Sequence, residues 1–129
     1  MKNSKLLIIM LLCMTSQLHA QTIGDHLNYI KEKEPNGQFS YNPEGGSTYT
    51  VSDKQHTLWI YFLNVDLECI ALAMHPSTSG TFQAYVELFN QEWVIMDDTH
   101  WKFYRNNGTI LKAYIDVVNN VGSVFYVSE

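Results

Sequence analysis

Between Thr57 and Pro76 the hydrophobic pattern is that of a sheet. Leu58, Ile60 and Phe62 interleave with Trp59, Tyr61 and Leu63, and the turn formers Asn64-Val65-Asp66 follow. A period of two bounded by turn residues predicts a strand. The next run, Leu67 to Met74, is apolar on both parities apart from Glu68, as expected of a central strand covered on both sides or nearly so. One face of the first strand is aliphatic and the other partly aromatic. The expectation is that the even-numbered aliphatics look inward and that Trp59 and Tyr61 look outward.

Two stretches carry a helical period instead. Ile23, Leu27 and Ile30 fall at i, i+4 and i+7 after Thr22 and Asp25, which are spaced as a capping box, and Pro35 ends the helix. Phe82, Tyr85, Val86 and Phe89 form a wider stripe behind the caps Ser77-Thr78-Ser79, marking the main helix on the sheet. Further strands are expected over Ser47–Ser52, His100–Tyr104, Thr109–Val117 and Ser123–Val127. Asn106-Asn107-Gly108 supplies the hairpin turn between the second and third of these. In Thr109–Val117, Leu111, Ala113, Ile115 and Val117 share one face, and Ile110, Lys112, Tyr114 and Asp116 the other. Gln38–Tyr41 reads as a brief edge strand, and Trp93–Met96 as a short apolar segment before a turn at Asp97-Asp98-Thr99. The order is therefore α-βββ-α-βββ. Short connections pair neighbouring strands antiparallel, so the expected fold is α+β. It is a two-layer sandwich with an antiparallel sheet of about five to six strands and two helices on one face.

Residues 1–20 stand apart from this pattern. Lys2 and Lys5 precede an unbroken apolar stretch from Leu6 to Met14, and Leu18-His19-Ala20 ends in a small residue. That is the layout of a secretory signal peptide cleaved after Ala20, with an apolar core too short to span a bilayer, which takes about 20 residues. Removing 20 of 129 residues leaves 109, one domain over 21–129. Two of the eight basic residues go with the leader, so six remain against thirteen acids, a formal charge of −7. A body that acidic repels phosphate backbones and anionic lipid surfaces, so neither nucleic acid nor, after cleavage, a membrane is expected as partner. With Cys13 removed, Cys69 is left without a disulfide partner and reads as a small buried hydrophobe.

No stretch carries a catalytic signature. His26, His56, His75 and His100 lack the spacing of a zinc site, and Asp97-Asp98-Thr99-His100 reads as a turn with solvated acids. Glu68 is the candidate acid of a small hydrolase, with Asp97, Asp98 or His100, because burial within an apolar strand would raise its pKa. Gly45-Gly46 lacks the lysine and following helix of a phosphate loop. Asn107-Gly108-Thr109 matches a glycosylation sequon but coincides with the hairpin turn. No cofactor and no metal are implied.

The aromatic inventory remains. With the aliphatics inward, Trp59, Tyr61, Lys112 and Tyr114 share the outer face, joined by Lys102, Tyr104 and Tyr126 in one register. Tyrosine and tryptophan give rigid contact area with a polar handle. Trp59, Tyr61, Tyr104, Lys112 and Tyr114 are therefore the expected binding residues. The function they imply is that of a secreted or periplasmic binding module taking a protein partner or a second copy of itself. The alternatives are a glycan-binding accessory domain on the same aromatics, the Glu68 hydrolase, and a second small core beneath the Gln38–Gly46 connector.

Overall fold

Two strands far apart in sequence make the middle of the sheet. The computed structural model describes residues 21–54, 56–118 and 121–129. Its first half is α1 (Leu27–Lys33), β1 (Gln38–Ser40), β2 (Ser47–Ser52), β3 (Leu58–Leu63) and β4 (Cys69–His75). The second is α2 (Ser79–Glu92), β5 (Val94–Asp97), β6 (His100–Tyr104), β7 (Ile110–Val118) and β8 (Val121–Ser128). All eight strands form one sheet in the order β1-β2-β3-β4-β8-β7-β6-β5. Each half is a helix followed by a four-strand antiparallel meander, and the last strands of the halves, β4 and β8, pair at the centre. The expected leader lies outside the described residues, as does the centre of the turn expected over Asn119–Gly122. No helix among the described residues is long and apolar enough to cross a membrane.

The protein is α+β, but the sheet has eight strands rather than five to six, in the order α-ββββ-α-ββββ. Beyond the strands with a readable period, the sheet has an edge strand on each side. β1 and β5 have only three and four residues. Runs that short show no alternation; pairing with β2 and β6 is what defines them.

The register assigns every side chain to a face. One row, Phe39–Tyr49–Tyr61–Leu72–Tyr126–Ala113–Trp101–Ile95, crosses all eight strands. Beside it run Val51–Trp59–Met74–Val124–Ile115. Both helices bury against this face. Ile23 and, from α1, Leu27 and Ile30, with Phe82, Tyr85, Leu88 and Phe89 of α2, belong to one core cluster with Tyr49, Trp59, Tyr61, Trp101 and Tyr126. Trp59 and Tyr61 are wholly buried, and the Trp59 ring meets Tyr85 of α2 edge-on at 6.3 Å and stacks on Tyr126 at 6.4 Å. The expected parity of β3 is therefore reversed: Trp59, Tyr61 and Leu63 look toward the helices, and Leu58, Ile60 and Phe62 look away. Burying an aromatic ring removes roughly 150–250 Å² from water, more than an aliphatic side chain offers, so the aromatic parity wins the helical side. The indole N–H does not oppose this, because the turn before β3 brings Asp53 Oδ2 to 3.1 Å from Trp59 Nε1.

The first helix starts later than its sequence suggests. Gly24 N–H donates to the Cys69 carbonyl, Cys69 N–H to that of Asp25, and Leu27 N–H to that of Leu67. Residues 24–27 are thus tied to the approach to β4 and are not free to wind. His26 caps the helix instead of Thr22, its Nδ1 accepting from Asn28 N–H. The Tyr49 hydroxyl then fixes the other end of α1, donating to the Glu34 carbonyl while accepting from Gly37 N–H. α2 starts where expected, with Thr78 Oγ1 accepting from Thr81 N–H.

Close approach of α2 to the sheet depends on Gly122 in β8. A Cβ there would fall 2.2 Å from the ring of Phe82. Gly122→Ala must therefore push the helix or the ring aside, and overpacking of this kind costs about 1–3 kcal/mol. Urea titration should show a lower midpoint with an unchanged slope. A second expectation tests the parity directly. Trp59, Trp93 and Trp101 are all at most 5% exposed, so native tryptophan emission should be blue-shifted and shielded from acrylamide. A readily quenched component in the wild type, absent from Trp59→Phe, would contradict the assignment.

Candidate functional site

The face turned away from the helices is built from two rows. One is Gln38–Thr50–Ile60–Ala73–Phe125–Tyr114–His100–Asp97. The other is Ser40–Thr48–Phe62–Ala71–Val127–Lys112–Lys102–Val94. Its centre is apolar. Ala71 and Ala73 of β4 are the small residues, with Ile60 and Phe62 of β3 on one side and Phe125 and Val127 of β8 on the other. Taller side chains flanking alanines on a pleated strand leave a shallow trough along β4. Ile60, Phe62, Phe125, Val127 and Tyr114 are all partly exposed, and neither helix of the described residues reaches them.

The margins of this face carry polar side chains beside the exposed Val94 and Tyr104. Thr48 and Thr50 flank it on the β2 side. On the other side Lys102 and Lys112 stand directly opposite each other across β6 and β7, a like-charge pairing that would be unfavourable alone. The Glu129 carboxylate lies 3.1 Å from Lys102 Nζ and 3.4 Å from Lys112 Nζ, and these two lysines hold its pKa below the ordinary range. At the upper end Asp97 accepts hydrogen bonds from Thr99 N–H at 2.8 Å and lies 2.9 Å from His100 Nδ1. The Thr99 amide first, and His100 second, keep the Asp97 carboxyl low.

Four rings run across this face from β4 to β6. His75 meets Phe125 edge-on at 6.2 Å, Phe125 stacks on Tyr114 at 5.3 Å, and Tyr114 stacks on His100 at 6.0 Å. Because the middle rings stack on each other, their π faces are largely occupied by protein.

The five expected binding residues do not form one surface. Trp59 and Tyr61 are in the core under the helices, while Tyr104, Lys112 and Tyr114 lie on the opposite face. The parity of β7 follows expectation because Lys112 and Asp116 mark its outer side. β3 has no charged residue on either parity, so its period defines two faces without saying which is inside. Leu58, Ile60 and Phe62, read as core, are the residues missed.

Glu68 is exposed, just ahead of β4 and bridged to His26, rather than buried within the strand. Its backbone carbonyl and N–H both bond to Asn64, which shapes the turn together with left-handed Leu67. His75 Nδ1 lies 2.6 Å from Ser123 Oγ. Among the described residues no group of three His, Cys, Asp or Glu side chains could hold a metal ion.

A separate cleft surrounds Arg105, the one arginine of the sequence. Its guanidinium donates from Nη1 to the Ile23 carbonyl at 3.1 Å and from Nη2 to the Gln21 carbonyl at 2.9 Å. Asp25, Tyr29, Lys33, Asn106 and Asn107 line a cavity of about 370 Å³ beside it. The chain matches no family model, no curated protein and no solved structure.

Cys69 borders the neighbouring hollow but is itself buried. Burial pushes its thiol up to about 12, far above the pH at which thiol reagents are used. The thiolate is the reactive form, so native protein comprising residues 21–129 should leave an aromatic disulfide reagent unreacted at pH 8, and denaturant should release the one equivalent of Cys69. Rapid reaction of the native protein would show that the thiol is accessible.

Proposed function

We propose that the protein is an exported binding module, secreted or periplasmic, formed by residues 21–129 as a two-layer α+β sandwich. It uses the helix-free face of its sheet to take a protein partner, and a second copy of the same chain is the first partner to test. The observation that carries this reading is the row of partly exposed apolar side chains, Ile60, Phe62, Phe125 and Val127, flanking Ala71 and Ala73. A contiguous apolar patch with a polar rim is the usual composition of an interaction surface. Two such faces can pack about 10 Å apart, as the sheets of a sandwich do, with the Lys102–Glu129–Lys112 cluster left at the wet edge.

Light scattering across a concentration series should show a dimer that Phe62→Lys abolishes, with circular dichroism unchanged. A wild type that stays monomeric removes self-association and leaves a different protein as partner. Binding of the apolar dye ANS tests the surface itself: it should be clear in any monomeric wild type and much weaker in Phe62→Lys. A strict monomer that also fails to bind the dye would sink the reading altogether.

A further inference from the structure

The hold that Arg105 exerts reaches back across the whole domain to Gln21. One guanidinium bonds the carbonyls of both Gln21 and Ile23, more than eighty residues earlier in the chain. Thr22 and Ile23 are buried, while Gln21 is exposed beside the cleft that Asp25, Tyr29 and Lys33 also line. If the leader is removed after Ala20, the α-amine of Gln21 becomes the first atom of the folded domain. Its nitrogen would then lie no more than about 6.5 Å from Arg105, given the 2.9 Å contact to the Gln21 carbonyl and standard backbone dimensions. As an ammonium it would add a third positive group to a cleft that holds Arg105 and Lys33 against the single carboxylate of Asp25.

We infer that Gln21 is a modification site: after leader removal its amine closes onto its own side chain to give a neutral pyroglutamyl terminus seated beside Arg105. This rests on the reading that residues 1–20 are a cleaved leader. In the step, the α-nitrogen bonds to Cδ of the same residue, the Cδ–Nε2 bond breaks, and the departing nitrogen takes a proton from the amine and leaves as ammonia. No oxidant, reductant or co-substrate is required. Ring closure within one residue has the proximity advantage of any intramolecular attack. A neighbouring guanidinium favours the uncharged amine, which is the nucleophile. The product leaves Asp25 facing Arg105 and Lys33 without a third cation, and it keeps the Gln21 carbonyl that Arg105 Nη2 holds.

The full chain, leader included, would be expressed in an exporting host and the exported protein weighed intact, with Gln21→Ala alongside. The expected result is the mass of residues 21–129 less one ammonia for the wild type, with no such loss in Gln21→Ala. Stepwise N-terminal degradation should be blocked in the wild type until pyroglutamate aminopeptidase is added. Cleavage after Ala20 with an open Gln21 overturns the inference while leaving the leader reading intact. A terminus at any other residue overturns both. Ammonia loss that persists in Gln21→Ala assigns the chemistry to another amide, such as Asn107 before Gly108, and overturns the inference as well.

Discussion

Phe89 of α2 lies 5.2 Å from the ring of Trp93, 5.3 Å from that of Trp101 and 5.9 Å from that of Tyr126. Tyr126 in turn stacks on Trp59, and the Trp93 ring lies tilted at 5.2 Å from that of Phe103. This aromatic cluster joins one helix to strands from both halves of the sheet, within the hydrophobic core. Each ring contributes on the order of a few kcal/mol through burial. A one-residue slip of β3 or β6 would break the cluster, because it would send Trp59 or Trp101 to the other face.

The opposite face is what that choice leaves behind. With the bulky rings taken to the helical side, β3 can offer only Leu58, Ile60 and Phe62 to the other side, and β4 offers Ala71 and Ala73. A shallow apolar trough between polar margins is the result. Its existence is a by-product of core packing, which leaves Phe62 and Phe125 partly exposed. The edges of the sheet are treated differently from its centre. β1 is short and polar at Gln38 and Ser40, with Lys31 over the Phe39 ring at 5.3 Å, whereas β5 has a bulge between Ile95 and Asp97. Both are familiar ways of discouraging edge-to-edge growth.

Polar contacts finish what the rings begin. Asp53 accepts from both the Trp59 indole and the Thr57 amide, which lets a tryptophan sit in the core without an orphaned N–H. Asn90 Oδ1 does the same for Trp101 Nε1 at 2.9 Å. Arg105 serves the N-terminal segment in a similar way, satisfying two carbonyls that a strand or helix would otherwise have paired. In each case a side chain from a turn or helix end supplies the bond, so loop chemistry holds the core in its chosen parity.

Read alone, the chain determined a good deal: two helices with their buried stripes, the hairpin at Asn107-Gly108, the faces of β7, and the presence of β2, β3, β4, β6 and β8. Those features rest on local periodicity or on charged residues that cannot be buried, and both are written in the sequence. Lys112 and Asp116 label the outer side of β7 in that way. Three things were settled only by tertiary structure. The short apolar segment after α2 became the edge strand β5 because β6 offers it a partner. The start of α1 moved to Leu27 because residues 24–27 bond to the approach to β4. The inside of β3 was decided by the rings of α2 and β8, distant in sequence, since an uncharged strand with apolar residues on both parities carries no label of its own. Which side such a strand turns inward depends on where the greater apolar area can be buried, and only the assembled neighbours fix that.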